Sequence, residues 1–230
     1  MTIAPVPMTA VAPRVSLLGP WSQRSASLIS GAGLTGMAIL MPAGYYGAIV
    51  PLVVPGDDVA TAHNIAASPI VYLVGLVAIA VVIALDAVVS VAWYWLFRSV
   101  NPRVSAVAAW LRVVYSIVFA VAAAQLMVAF VQRDEPVRAV EALDAFNAMW
   151  LSSLGLFGVH LIVIGYLAIR AAFIAPIFGV LLVMSGIGYI VDAVGVVFDL
   201  QLPVAFGSFG FVGEVAIIVW LFVRGRRLTG

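Results

Sequence analysis

The chain has 230 residues, of which 65% are hydrophobic and only 9% charged, and its net charge is +1. Soluble domains carry about one quarter charged residues, so this composition excludes a water-soluble globular fold, and the near-neutral charge excludes nucleic acid as a partner. The absence of cysteine excludes disulfides, thiolate metal sites, iron–sulfur clusters and cysteine nucleophiles.

The first 25 residues are rich in proline and lack the regions of a cleaved signal peptide. We interpret residues 1–25 as a cytoplasmic tail, residues 26–224 as the membrane domain and residues 225–230 as a basic C-terminal tail. At about 20 apolar residues per span, the membrane domain has room for roughly six helices. The sequence predicts an all-α polytopic membrane bundle of six transmembrane helices, at 27–50, 69–97, 104–131, 145–169, 176–198 and 204–223.

Two of the predicted connections carry short surface helices. In the turn Pro55–Asp58, Asp58 is expected to cap a helix that ends before Pro69. Residues 133–144 are charged and contain a proline, which predicts a capped interfacial helix leading into the fourth span. His63 lies in the first of these helices, where the pattern favours a solvated face over metal ligation, so we predict no metal site.

Arginines are distributed unevenly between the two sides of the predicted bundle. The tail, the second and fourth loops and the C-terminus hold eight of the 11 basic residues, the opposite loops hold Arg133 and Arg138, and Arg112 lies within a span. Since arginine-rich loops stay in the cytoplasm, both termini are predicted to be cytoplasmic. We therefore expect a multi-pass protein in the cytoplasmic membrane, in contact with its lipids, and the arginine, alanine and valine usage indicates a bacterial genome.

Five ionisable residues lie within the predicted spans: Asp86, Arg112, His160, Asp192 and Glu214. A charge near the bilayer centre costs at least about 2.5–3.5 kcal/mol, so each needs a partner, water or a role. Counted from the cytoplasmic ends of their spans, all except Asp192 lie about 8 to 11 residues deep, or roughly 12 to 17 Å. Four ionisable groups on four helices are thus predicted to share one depth, while Asp192 lies in the outer half.

The shared depth supports two hypotheses for these residues. In the first, they form one binding or proton-relay cluster in which Arg112 is the fixed cation, Asp86 and Glu214 compete for it, and His160 gains or loses a proton. In the second, Arg112 pairs with one carboxylate to hold the helices together, while the other carboxyl stays protonated and hydrogen-bonded. Extension of Arg112 to the cytoplasmic surface would dissolve the cluster.

Asp192, with Tyr189 one turn away, has two interpretations of its own: a carboxylate reached by water from outside, or the outer station of a proton or cation path. The second and fifth spans both begin with Pro-Ile and carry an aspartate, Asp86 or Asp192, a similar number of residues later. If the chain were two three-span repeats, the odd number of spans would invert the second repeat, as in many secondary transporters. The sequence thus suggests a 3+3 inverted repeat.

Several short segments share the order and spacing of segments in a known family. They are Val54–Asp58, Ala109–Arg112, Phe157–His160, Gly165–Leu167, Pro176–Leu182, Gly188–Asp192, Gly213–Glu214 and Val219–Leu221. Between roughly Tyr45 and Arg224 the chain resembles a family of bacterial integral membrane proteins known as domain of unknown function 4386. The resemblance implies six spans and brings no activity, cofactor or catalytic residue with it.

Three functions are compatible with this sequence. The first is a small transporter-like or proton-coupled module, which would take a small molecule or ion as substrate and, with only six short spans, would function as a homodimer. The second is an intramembrane enzyme acting on lipid, with Asp86, His160 and Glu214 as acid–base groups, although the chain has no Gly-x-Ser-x-Gly or His-Glu-x-x-His motif. The third is a structural or accessory membrane subunit. We favour the first, and we predict no cofactor and assign no catalytic residue.

Overall fold

The computed structural model describes residues 20–200 and 202–228, and of Ser208 only the backbone. Within these residues the regular elements are helices and no β-strand occurs, which confirms the predicted all-α class. Residues 1–19 of the predicted tail, with Arg14, and residues 229–230 of the C-terminal tail lie outside the described residues. The α-helices are α1 (Gln23–Met41), α2 (Asp58–Ala67), α3 (Pro69–Phe97), α4 (Pro102–Val131), α5 (Pro136–Arg170), α6 (Pro176–Val197) and α7 (Gly207–Val223).

Proline sets the start of the four longest α-helices. In the first helical turn its missing amide hydrogen costs no helical hydrogen bond, and its fixed backbone angle favours the helix. Asn101 adds a cap before α4, because its side chain accepts hydrogen bonds from the amides of Arg103 and Val104, both at 3.1 Å. The helix starts are set locally by Pro69 (α3), Pro102 (α4), Pro136 (α5) and Pro176 (α6).

The first long segment changes helix type along its length. α1 begins at Gln23, so the last residues of the predicted tail are helical. Ser22 caps the start of α1, because its side chain accepts a hydrogen bond from the Ser25 amide. Because Pro42 has no amide hydrogen to continue the α-helical pattern, the chain changes there to a π-helix, Pro42–Ile49, followed by a 3₁₀ turn, Val50–Leu52. The wider π-helix turns its side chains differently from an α-helix. The predicted span at 27–50 did not include this change of helix type.

In the described part of the chain, five helical segments are long and apolar enough to cross a membrane. They are Gln23–Leu52 and the four helices α3 to α6. α7 is apolar but shorter, with 17 residues. The protein is therefore membrane-embedded, with five such segments, and a sixth span remains a prediction for α7.

Both connections with predicted surface helices differ in detail from the prediction. α5 runs unbroken from Pro136 to Arg170, so the charged part of residues 133–144 forms no separate interfacial helix. No proline or glycine follows Pro136 until Gly155, and nothing locally ends the helix between them. The other short helix is present as α2, but its N-cap is Asp57 rather than Asp58, since Asp57 Oδ1 accepts a hydrogen bond from the Ala60 amide at 2.8 Å.

Contacts between helix ends define two ends of the bundle. Ser27 near the start of α1 donates a hydrogen bond to the Leu221 carbonyl near the end of α7, at 3.0 Å, whereas Tyr72 near the start of α3 donates to the Leu126 carbonyl near the end of α4, at 2.8 Å. We call the first the Arg-rich end, which holds Arg24, Arg98, Arg103, Arg170, Arg224, Arg226 and Arg227. We call the second the acidic end, which holds Asp57, Asp58, Asp134, Glu135, Glu141, Asp144 and Asp199.

Glycines allow α5 and α6 to pack at backbone distance. Gly158 and Gly165 of α5 face Gly186 and Gly179 of α6, respectively. A Cβ atom added at Gly165 would lie 2.7 Å from the Gly179 carbonyl oxygen, and one at Gly179 would lie 2.5 Å from the Gly165 carbonyl oxygen. Small residues let membrane helices approach this closely, and here they fix the rotation of α6 against α5. That rotation decides which α6 side chains point into the bundle.

Candidate binding cavity

An ion pair joins α3 to α4 inside the bundle. Arg112 Nη2 lies 2.6 Å from Asp86 Oδ1, and the two side chains are only 2% and 4% exposed. A charge-assisted hydrogen bond of this length is strong, and each partner neutralises the other in surroundings that could not stabilise either charge alone. The predicted pairing of Arg112 with a carboxylate is therefore present, and the alternative in which Arg112 extends to the surface is wrong.

His160 is fully buried on the other side of Arg112. Its Nδ1 lies 2.8 Å from the Ala108 carbonyl oxygen, which only accepts, so Nδ1 carries the hydrogen and donates it. The lone pair then lies on Nε2, which faces Arg112 Nη1 at 3.4 Å. The structure thus brings His160 to Arg112 as the sequence predicted, but in a position where its free lone pair faces a hydrogen-bond donor.

Two further side chains surround the guanidinium and were not predicted. The Met37 sulfur lies 3.9 Å from Arg112 Nη2, and the Phe157 ring centre lies 5.4 Å from the guanidinium carbon, a cation–π arrangement. Arg112 Nε has no hydrogen-bond partner among the described residues. The spacing of Phe157 and His160, three residues apart on one helix, places both on one face and was the available signal for Phe157. No comparable signal marks Met37.

Glu214 does not share Arg112 with Asp86. Its Oε1 accepts a hydrogen bond from the Tyr189 hydroxyl at 2.7 Å, and within residues 20–200 and 202–228 no cation pairs with it. The predicted cluster of four therefore divides into a group of three around Arg112 and a separate pair of Glu214 with Tyr189. Tyr189 is one helical turn from Asp192 in the sequence, but its hydroxyl forms its hydrogen bond with Glu214.

Asp192 lies where α7 begins. Its Oδ1 accepts a hydrogen bond from the Phe206 amide at 2.8 Å, and its Oδ2 accepts one from the Gly207 amide at 2.6 Å. Amides at a helix start have no partner within the helix, and a carboxylate there also faces the positive end of the helix dipole. Asp192 thus caps α7 across the loop.

A cavity of about 450 Å³ connects these groups, and we call it the bundle cavity. Every long helix contributes to its wall, and it reaches toward the acidic end, where Tyr46, Val196 and Ala205 line it. Its polar lining comes from Tyr46, Asp86, Arg112, Tyr115, Tyr189, Asp192 and Glu214. Aromatic or apolar side chains that include Met37, Phe119, Trp150, Phe157 and Phe211 form much of the rest.

The bundle cavity has the size and lining of a small-ligand site. Cavities of about 300–1,000 Å³ with mostly apolar walls and a few polar groups are typical of such sites. His160 is not part of the cavity wall, but it contacts two residues that are, Arg112 and Phe157. No three histidine or acidic side chains of the described chain come close enough together to hold a metal ion.

Comparison with known proteins places these helices in a family. The profile of the family described as "Domain of unknown function (DUF4386)" matches residues 29–225, which include most of α1 and all of α2 to α7. An archaeal protein from Archaeoglobus fulgidus, described as an uncharacterized protein, is 29% identical over 161 residues, or 70% of this chain and 88% of that protein. No solved structure matches the chain. The family match covers every segment on which the resemblance was based, and the chain belongs to the DUF4386 family.

Proposed function

We propose that this protein is a small proton-coupled carrier, which binds a small molecule in the bundle cavity and exchanges it for a proton on Glu214. One observation carries the proposal. Glu214 is an acidic side chain in the interior of a membrane bundle that opens on a cavity of about 450 Å³ and has no cationic partner among the described residues.

The proposal includes six spans with both termini in the cytoplasm. The 17 residues of α7 extend about 26 Å, slightly less than the hydrocarbon core of about 30 Å, and a bilayer thins locally around a short span at modest cost. Of the described basic residues, the acidic end holds only Arg133 and Arg138, and this excess of arginine at the opposite end supports a cytoplasmic location for the Arg-rich end. The bundle cavity would then reach toward the outside. The 3+3 inverted repeat remains a prediction.

Lipid contact is part of the same proposal. Large apolar side chains face outward along α3 and α4, for example Ile70, Val74, Trp110 and Ile117, and a bilayer would cover them.

The homodimer also remains a prediction. Its measurement is the mass of the detergent-solubilised protein by light scattering, with two chains per particle expected.

Glu214 is suited to proton exchange because it is poorly stabilised as an anion. Asp86 has the Arg112 guanidinium at 2.6 Å, whereas Glu214 has one phenolic donor. A carboxyl in apolar surroundings needs a proton, a cationic partner or additional hydrogen-bond donors, so a ligand that supplies positive charge or donors competes with the proton for it. The charged or titratable groups that share the cavity with Glu214 are Tyr46, Asp86, Arg112, Tyr115, Tyr189 and Asp192.

Transport also requires a path that opens on one side at a time. At the Arg-rich end α1 and α7 are in contact, through the Ser27 hydrogen bond to Leu221 and the close approach of Gly31 to Phe222. Toward the acidic end the bundle cavity lies between the same two helices, with the π-helix in its wall through Pro42 and Tyr46. π-Helical segments are frequent at functional sites. The α1–α7 contact is therefore the gate that has to open on the cytoplasmic side.

The test is proton movement in proteoliposomes that contain a pH-sensitive dye. A pH difference is imposed, and separate samples receive quaternary ammonium compounds, aromatic sulfonates or neutral aromatic amides. Compounds of these three classes do not themselves carry protons across a bilayer. At least one class is expected to accelerate proton movement in comparison with liposomes that lack the protein.

The acceleration should be lost in Glu214→Gln, which removes the proton site and keeps the size of the side chain. Glu141→Gln is the matched control, since it makes the same chemical change at an exposed position of α5. Proton movement that no class of compound accelerates, or that Glu214→Gln leaves intact, would overturn the proposed function.

A further inference from the structure

We infer that the ligand of the bundle cavity is a hydrophobic organic cation, such as a quaternary ammonium or phosphonium compound, bound between the Glu214 carboxylate and the aromatic wall. The inference rests on the proposed function and names its substrate class. It follows from the charges that line the cavity and from the side chains that surround them.

The charges in the cavity do not balance. Three carboxyl groups and one guanidinium line it. Asp86 is paired with Arg112, and both oxygens of Asp192 accept backbone amides at the start of α7, where the helix dipole is positive. Among the described residues, Glu214 receives a hydrogen bond only from the Tyr189 hydroxyl. When Glu214 is ionised, the remaining negative charge is therefore located there, and a ligand that replaces its proton and balances this charge is a cation.

The walls favour a cation whose charge is carried on carbon-rich groups. The Phe157 ring centre lies 5.1 Å from that of Tyr115 and 5.5 Å from that of Tyr189, with the latter ring edge-on. The faces of aromatic rings attract cations, and Phe157 already faces the Arg112 guanidinium at 5.4 Å. Phe119 and Trp150 add a second aromatic pair at 6.1 Å. Such a wall binds an alkylated or arylated cation better than a hydrated one.

Two other classes of ligand fit less well. An inorganic cation requires several oxygen ligands, and the described residues bring no three acidic or histidine side chains together. An anion would have to compete with Asp86 for Arg112, which would leave Asp86 buried without its partner. The one feature in favour of an anion is Arg112 Nε, which lacks a hydrogen-bond partner in the described part of the chain. An anionic probe is therefore the necessary comparison.

Binding of the cation releases one proton. The protonated Glu214 carboxyl loses its proton to water, and the carboxylate that remains pairs with the positive ligand, so the charge of the site is unchanged overall. By linkage, the affinity for the cation falls by about tenfold for each pH unit below the range in which Glu214 is ionised.

The experiment measures binding to the purified full chain in detergent by calorimetry between about pH 6 and 9. Tetraphenylphosphonium is the cationic probe, and tetraphenylborate has nearly the same size and shape with the opposite charge. We expect tetraphenylphosphonium to bind, with an affinity that falls toward low pH, and to bind at least about tenfold more tightly than tetraphenylborate. Glu214→Gln should reduce this affinity about tenfold or more, and the exposed control Glu141→Gln should not.

A second variant and a folding measurement distinguish a loss of binding from a loss of folding. Thermal unfolding without ligand shows whether Glu214→Gln is folded, and Glu214→Asp, which keeps the carboxyl, should retain cation binding with its pH dependence. Preference for tetraphenylborate, or cation binding that the folded Glu214→Gln variant retains unchanged, would overturn the inference. If organic cations fail while another class still drives Glu214-dependent proton movement, the inference is wrong and the proposed function stands. If no class drives such movement, both are wrong.

Discussion

Asp86 and Glu214 are two acidic side chains that open on the same cavity, and they differ in what each one contacts. Asp86 on α3 has the Arg112 guanidinium at 2.6 Å, whereas Glu214 on α7 has the Tyr189 hydroxyl at 2.7 Å. The distances are nearly equal, but one donor brings a full positive charge and the other does not. A permanent cation fixes the charge of Asp86, whereas the partner of Glu214 is neutral, and the proposed exchange therefore takes place at Glu214.

The surroundings of the two carboxyls reinforce the contrast. Around Arg112, the His160 ring and the Phe157 face come from a third helix, and Ser116 donates a hydrogen bond to the Arg112 carbonyl at 2.8 Å. This group joins α3, α4 and α5 and suits a structural role. In the part of the chain that the structure describes, the hydrogen bond of Glu214 joins only α6 and α7. We therefore assign the structural hypothesis to Asp86 with Arg112 and the exchange hypothesis to Glu214, although the sequence had offered them as alternatives for one cluster.

The largest expected effect is the loss of stability on breaking the ion pair. Arg112→Gln removes the cation and leaves Asp86 buried and unpaired, so the free energy of unfolding should fall by about 3–5 kcal/mol. Denaturant unfolding of the detergent-solubilised protein measures it. The double variant Asp86→Asn with Arg112→Gln should lose less than the sum of the single variants, because it leaves no unpaired charge behind.

The chain offers a control pair for this measurement. Arg138 and Glu135 are 3.2 Å apart but 61% and 60% exposed, so Arg138→Gln should change the free energy of unfolding by less than about 1 kcal/mol. Equal effects of Arg112→Gln and Arg138→Gln would mean that the buried ion pair does not hold the helices together, and the contrast with Glu214 would lose its basis.

A middle-sized effect is expected at the third acidic side chain of the cavity. Asp192→Ala removes the acceptors of the Phe206 and Gly207 amides, and the loss of a helix cap costs about 0.5–2 kcal/mol. Denaturant unfolding measures the change in the free energy of unfolding of the whole protein. Hydrogen exchange should be faster at the start of α7 than in wild type. Asp57→Ala is the control, since it removes a cap from α2, outside the cavity.

The conservative variant Asp192→Asn separates the helix-cap role that the structure shows for Asp192 from its predicted role as the outer station of a proton or cation path. If Asp192 acts as a cap, Asp192→Asn should weaken tetraphenylphosphonium binding far less than Glu214→Gln does. If Asp192→Asn abolishes binding while the start of α7 stays protected from exchange, Asp192 is instead the outer station that the sequence suggested.

Helix positions were predictable because their signals are local. The segment predicted at 69–97 coincides with α3, since Pro69 starts the helix and Asn101 with Pro102 begins the next one. Pro42 marks an interruption of the α-helix in the sequence, but a proline alone does not distinguish a kink or a helix end from the π-helix that forms there. The continuous α5 was missed because charged residues at its start resemble an interfacial segment.

The contacts between polar side chains inside the bundle were less predictable than the depth of these side chains in the membrane. Spacing along the spans placed Asp86, Arg112, His160 and Glu214 at one depth, and the structure brings three of them into contact. The rotation of each helix decides the rest, and in helices that are apolar on all sides the pattern of hydrophobic residues gives little indication of rotation. The rotation of α6 depends on glycine contacts with α5, so Tyr189 could not be paired with Glu214 from the sequence.

The smallest expected effect is the one that separates the two carboxyls most clearly. Glu214→Gln breaks no ion pair, and the amide oxygen of glutamine can still accept the Tyr189 hydrogen bond, so the free energy of unfolding should change by less than about 1 kcal/mol. Denaturant unfolding at one fixed pH, beside Arg112→Gln, provides the measurement. A loss as large as that of Arg112→Gln would mean that Glu214 carries a structural charge. A small loss together with abolished cation binding is the combination that a packing role cannot produce, because packing acts on the folded chain whether or not a ligand is present.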